Sequence, residues 1–129
     1  MKNLEKLAMS TATNFYYLSP RIKELKELKK LIFIKSHIDS IPPEIGELSN
    51  LEVLQISWGR GIRFLPAEIG GLKNLEYLGL TRNQLTTLPE QIKYLTKLKR
   101  LDLRENNFSV EERQRIKKLL PNCKIIFEY

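Results

Sequence analysis

Few residues of this 129-residue chain are of types that do chemistry, and their spacing keeps them apart. His37 is the only histidine and Cys123 the only cysteine. A Cys/His metal site needs several ligands at short intervals, and a nucleophile needs a base to activate it. With neither condition met, His37 reads as a solvated loop side chain and Cys123 as a small apolar residue, and an internal disulfide is excluded. Gly59-x-Gly61 and Gly70-Gly71 lack the lysine and the strand-to-helix setting of a phosphate loop. These residues lead us to expect no enzymatic activity, no metal and no cofactor.

What remains is the chemistry of recognition. The one tryptophan lies in Ser57-Trp58-Gly59-Arg60-Gly61-Ile62, and the formal charge is +7. That charge favours acidic partners or anionic surfaces by long-range attraction, but does not by itself indicate nucleic acid. Arg21, Lys23, Lys26, Lys29 and Lys30 crowd one stretch, yet they alternate with Glu24 and Glu27, and no aromatic platform is interleaved with them. Nucleic acid is therefore a minor reading. With 42% apolar and 29% charged residues and no apolar run of membrane-spanning length, the chain is expected to be one domain with no membrane span. No apolar run follows Lys2, so a signal peptide is not expected, and the lone cysteine agrees with a reducing compartment; the location expected from the chain as written is cytoplasmic.

The elements that position these residues repeat. Leu75-x-x-Leu78-x-Leu80-x-x-Asn83-x-Leu85-x-x-Leu88-Pro89-x-x-Ile92-x-x-Leu95 is followed at Leu98 by the same pattern. Leu51, Leu54, Ile56, Ile62, Leu65, Ile69 and Leu72 fill the same slots, as do Leu28, Leu31, Phe33, Ile38, Ile41, Ile45 and Leu48. A degenerate copy runs through Leu4, Leu7, Met9, Phe15, Leu18, Ile22 and Leu25. The copies start near 4, 28, 51, 75 and 98, with spacings of 24, 23, 24 and 23, so the first and third share a one-residue lengthening. In Leu-x-x-Leu-x-Leu the last two leucines lie two apart and point the same way from a strand. The proline cannot donate to a sheet ladder and starts a return path, where Ile-x-x-Leu turns one side chain per tight turn inward.

This pattern resembles that of bacterial leucine-rich repeat proteins and covers essentially the whole chain. The resemblance implies an α/β solenoid: a short right-handed arc of about five coils, with a parallel sheet on the concave side and a C-terminal capping helix. Residues 1–108 are then the repeats and 109–129 the cap. Ser109-Val110-Glu111-Glu112 reads as a capping box opening a helix over about 110–120, with Val110, Arg113, Ile116, Leu119 and Leu120 as its inward stripe. Cys123 to Phe127 reads as a short strand or extended tail. Nothing comparable precedes Leu4, which leaves three readings: a cap or further repeats belong before it, the degenerate copy is its own cap, or a second molecule covers it, making a homo-oligomer through the N-terminal edge.

Function is sought on the concave strands, between the core leucines. Four columns cross the repeats: Lys6, Lys30, Val53, Tyr77, Arg100; then Ala8, Ile32, Gln55, Gly79, Asp102; then Ser10, Ile34, Ser57, Thr81, Arg104; and Thr11, Lys35, Trp58, Arg82, Glu105. Side by side, Ile32, Ile34, Val53, Gln55, Trp58 and Tyr77 make a patch, with Lys30, Lys35, Arg82 and Arg104 to steer an acidic or amphipathic protein or peptide onto it. The bland alternative is that β-branched residues satisfy strand propensity while Trp58 folds over Arg60. An insertion falling before Trp58 would turn its side chain away. The resemblance also implies a ladder of asparagines bonding the loop backbone; Asn83 and Asn106 fit it, whereas Ala12, Ser36 and Gly59 do not, so the loops above the first three strands are expected to be less rigid or differently bonded.

Overall fold

The computed structural model describes residues 3–10, 17–59 and 61–129. Thr11, Ala12, Phe15 and Arg60, each given a place by the repeat, lie outside these residues. One open six-stranded sheet is built from β1 (Lys6–Ser10), β2 (Lys30–Ile34), β3 (Val53–Ser57), β4 (Tyr77–Gly79), β5 (Arg100–Asp102) and β6 (Lys124–Ile126). The strands lie in sequence order, every pair parallel, in the register that the repeat demands: Lys6↔Lys30↔Val53↔Tyr77↔Arg100↔Lys124. Parallel neighbours need a crossover, and here a 3-10 turn supplies each of the first four, at Pro20–Glu24, Pro43–Glu47, Ala67–Gly71 and Glu90–Tyr94, while a helix, α1 (Val110–Leu119), lies in the fifth, between β5 and β6. Pro42, Pro66 and Pro89 stand at the start of the last three turns with extended backbone, as residues without an N–H to satisfy.

The core lies between sheet and turns, one layer per coil. Leu28, Leu31, Ile38, Ile45, Leu48, Leu51, Leu54, Ile56, Ile62 and Ile69 are fully buried, and their equivalents in the next coil are as well. Close stacking of the turns depends on glycine at Gly46, where a Cβ would stand 2.3 Å from the Glu68 carbonyl oxygen. Coil 1 is less enclosed: Leu4, Leu7, Met9 and Leu25 are half-buried, β1 is the edge of the sheet, and a cavity of about 350 Å³ is lined by Leu7, Met9, Leu18, Ile22, Leu25 and Phe33.

The opposite end is closed by α1 (Val110–Leu119). Ser109 accepts a hydrogen bond from the Glu112 N–H at 3.1 Å, but Glu112 does not complete a reciprocal box. Its carboxylate turns to coil 4 instead, accepting from the Thr87 hydroxyl and the Leu88 N–H, while Arg115 donates to the Leu88 carbonyl. The inward stripe is narrower than the sequence predicts. Ile116 and Leu120 are buried and Leu119 half-buried, whereas Val110 is 66% exposed. Arg113 packs across Phe127, which meets Phe108 edge to face.

Candidate concave recognition face

On the strands, alternation puts Leu31, Phe33, Leu54, Ile56, Leu78 and Leu101 into the core and turns their neighbours to the concave side. Ile32, Ile34, Val53, Gln55 and Tyr77 are all half-buried there, and the register makes them contiguous: Val53 stands beside Tyr77, Ile32 beside Gln55, and Ile34 beside Ser57. Lys30 and Lys35 are exposed at the side of this patch. Tyr77 has a place prepared for it. Its ring lies across Gly79, where a Cβ would stand 2.8 Å from the ring, and desolvation, aided by Asp102, pushes the phenol up from its ordinary pKa. The glycine in an otherwise side-chain-bearing column is the sequence signal for that arrangement, and sequence reasoning passed over it.

The extra residue of coil 3 falls after Trp58, not before it. The Trp58 N–H donates to the Thr81 carbonyl at 2.8 Å, the bond that Lys35 makes to Ser57 and Arg82 makes to Arg104 one coil to either side. Trp58 therefore shares a column with Lys35 and Arg82. The ring stands between them, with the Arg82 guanidinium 4.2 Å and the Lys35 ammonium 5.7 Å from its centre. These cations come from the coils on opposite sides of Trp58, which is itself 41% exposed. The four described members of this column, Lys35, Trp58, Arg82 and Glu105, all have left-handed backbone, with φ of 60°, 66°, 57° and 58°. That conformation is uncommon for residues other than glycine, and no residue type in the column announces it.

Two of the expected steering cations are already engaged. Arg82 pairs with Glu105. Arg104 makes a two-pronged bond to buried Asp102, at 2.9 and 2.6 Å, and lies under the ring of Tyr129, whose hydroxyl donates to Glu105 at 2.8 Å. The hydrogen bond to Glu105 raises the Tyr129 pKa. The strand-end margin of the face is thus neutralised internally from Arg82 onward. The opposite margin is not: Lys6, Lys30, Arg100 and Lys124 make no ion pair among the described residues.

Above the strands, the ladder begins only at coil 4. Asn83 donates to the Ile56 and Leu80 carbonyls and accepts from the Ile62 N–H; Asn106 repeats this with Leu80, Leu103 and Leu85. Ser36 and Ser57 are 2% and 1% exposed, and neither hydroxyl has a hydrogen-bond partner. Gly59, in the ladder slot, offers none.

His37 is exposed and Cys123 half-buried, its thiol pushed up to about 11 by burial. Among the described residues, no group of three or more His, Cys, Asp or Glu is placed to hold a metal ion, and no helix is long and apolar enough to cross a membrane.

Residues 4–120 match the family described as a leucine-rich repeat region. Among solved structures, a leucine-rich repeat protein of Leptospira interrogans is 35% identical, with a TM-score of 0.87 over 98% of this chain and 38% of its own. An internalin of Listeria monocytogenes is 23% identical, with a TM-score of 0.75 over 97% of this chain and 35% of its own. The plant peptide hormone receptor RGFR1, in complex with RGF2, is 24% identical, with a TM-score of 0.67 over 99% of this chain and 25% of its own. The last two likenesses concern the fold alone, and this chain spans less than two-fifths of the length of all three. Among curated proteins, none matches the sequence. On its repeats, its fold and these similarities, the chain belongs to the leucine-rich repeat family, with repeats of the bacterial type.

Proposed function

We propose that this chain is a non-catalytic interaction module that takes an acidic or amphipathic segment of a partner protein on its concave face. One observation carries the reading: Ile32, Ile34, Val53, Gln55 and Tyr77 form a contiguous, half-buried patch in mid-sheet, with exposed Trp58 beside it and unpaired lysines around it. An apolar centre with a charged rim is how protein interfaces are built, and Trp and Tyr are the residue types that dominate their energy. That the fold also serves an internalin and a receptor bound to a peptide hormone supports the reading.

The test is selection of a random peptide library on the immobilised protein, followed by titration of the selected peptides. Tyr77→Ala should weaken binding roughly 30-fold or more, as expected for a central hot spot. Peptides that bind Tyr77→Ala and Trp58→Ala as well as the wild type would remove the concave face from the proposal.

A second reading rests on coil 1, whose half-buried Leu4, Leu7, Met9 and Leu25 adjoin the free edge of β1. Such an edge pairs readily with another strand, here in a second copy of the chain. Light scattering across concentrations decides it, since a strict monomer removes self-association.

A further inference from the structure

We propose that the partner segment runs across the strands, along their starts, and that its pattern is acidic, then apolar, then acidic. The proposal rests on the concave-face reading and gives it a direction and a sequence.

The first concave column reads, in register, Lys6, Lys30, Val53, Tyr77, Arg100, Lys124. Two cations, two apolar residues and two cations follow one another, one per strand. Lys6, Lys30 and Lys124 are exposed, and Val53, Tyr77 and Arg100 half-buried. No acid stands in the row. The acids just before it are partly engaged, since Glu5 is paired with Lys29 at 3.5 Å and Glu76 with Lys99 at 2.8 Å. At the far margin, Arg82 and Arg104 are paired with Glu105 and Asp102. The unpaired cations beside the apolar patch are therefore concentrated in this row, with Lys35 the exception at the other margin. Like charges side by side on neighbouring strands are unfavourable, and Lys6 beside Lys30 and Arg100 beside Lys124 are two such pairs. A partner carboxylate at each end relieves both.

The spacing fixes the pattern. Strands stand about 4.8 Å apart, so the row is roughly 24 Å long and its apolar pair lies between cations about 14 Å apart. An extended segment advances about 3.3 Å per residue and covers the row with about eight residues. Because alternate side chains face the sheet, two acids at each end ensure that one reaches the cations there, and apolar side chains in the middle lie over Val53 and Tyr77. The concave face continues along the strands to Ile32, two residues beyond Lys30 on β2, and to Gln55, two residues beyond Val53 on β3.

Two synthetic eight-residue peptides of identical composition provide the probe: one with two acids at each end around an apolar centre, the other with the four acids in the centre. Binding is read from backbone NMR shifts of the full chain. The flanked peptide should bind at least fivefold tighter, with shifts spreading from Lys30 to Arg100, and Lys30→Gln with Arg100→Gln should weaken it at least tenfold. Lys23→Gln with Lys73→Gln, on the turns' side, should leave it unchanged. Equal binding of the two peptides, or indifference to Lys30→Gln with Arg100→Gln, overturns the direction and the pattern. If Tyr77→Ala still abolishes binding in that case, the concave face survives as the site and only this inference fails.

Discussion

Gly59→Asn tests whether the ladder physics governs this solenoid. At coil 4, one asparagine amide satisfies three backbone groups, two carbonyls and the N–H of Ile62. The corresponding N–H one coil earlier is that of Ile38, and a Cβ at Gly59 would stand 3.6 Å from it and 3.5 Å from the His37 nitrogen. These are ordinary contact distances, and Gly59 does not have positive φ, so the side chain fits without strain. Its amide would reach Ile56 and the equivalent carbonyl of coil 2. Sharing a carbonyl is no obstacle: Leu80 already accepts from both Asn83 and Asn106. Three bonds at about 1 kcal/mol net each, plus about 0.5 kcal/mol from restricting the unfolded chain, stand against about 1 kcal/mol for ordering the side chain. The expected gain is about 2.5 kcal/mol, or roughly 7–12 °C in melting temperature.

Urea denaturation measures the gain, and amide hydrogen exchange localises it. In the wild type the Ile38 amide should exchange faster than those of Ile62 and Leu85, which have asparagine acceptors at 3.3 and 3.0 Å. In Gly59→Asn, exchange at Ile38 should slow by roughly tenfold or more. A variant that is no more stable, with Ile38 exchange unchanged, would show that the ladder does not stabilise the coil, and the account of Asn83 and Asn106 would fall with it.

Asn83→Ala should cost about 2–3 kcal/mol in the same denaturation assay, because three buried backbone groups lose their partner. Ser57→Ala should be neutral or slightly stabilising, since it removes a buried hydroxyl without a partner; a loss above about 1 kcal/mol would reveal one. Gly46→Ala should destabilise by about 2–4 kcal/mol by forcing the turns of coils 2 and 3 apart, as read from the urea midpoint. Cys123, raised from 9.0 to about 11, should react with iodoacetamide at pH 8 roughly 100-fold more slowly in the native chain than in urea. The sign for stability follows: the neutral thiol is favoured by folding, so its contribution is complete below pH 9 and is lost as pH rises through about 11.

The strand register and the direction of each core leucine were legible because each is fixed by spacing, and spacing recurs in every copy. The concave columns were legible for the same reason, which is how Trp58, Tyr77 and Val53 could be placed on one face. What was not legible depends on how side chains of neighbouring columns meet. Arg104 and Arg82 look like free cations in two adjacent, mostly polar columns; only the pairing of Arg82 with Glu105 and of Arg104 with Asp102 shows that they are engaged. Val110 matches the helical period yet faces solvent, because periodicity says which residues share a face and not how far the covered surface extends.

The internal pairing also changes what Trp58 can contribute. A tryptophan with both faces open is a platform on which a ring or an aliphatic chain can lie flat. Between Lys35 and Arg82 the ring already has a cation near it from each neighbouring coil, so part of its stacking energy is committed within the protein. Arg82 is in turn held by Glu105, and Glu105 by Tyr129, so Trp58 belongs to a chain of contacts that runs from Lys35 of coil 2 through Arg82 and Glu105 to Tyr129. Truncating Trp58 therefore loosens the strand-end margin and removes a contact, whereas truncating Tyr77, seated over Gly79, removes mainly a contact. A binding loss larger for Tyr77→Ala than for Trp58→Ala follows from this difference. It puts the centre of the recognition face at Val53 and Tyr77, on the row of unpaired cations, rather than at the more conspicuous tryptophan.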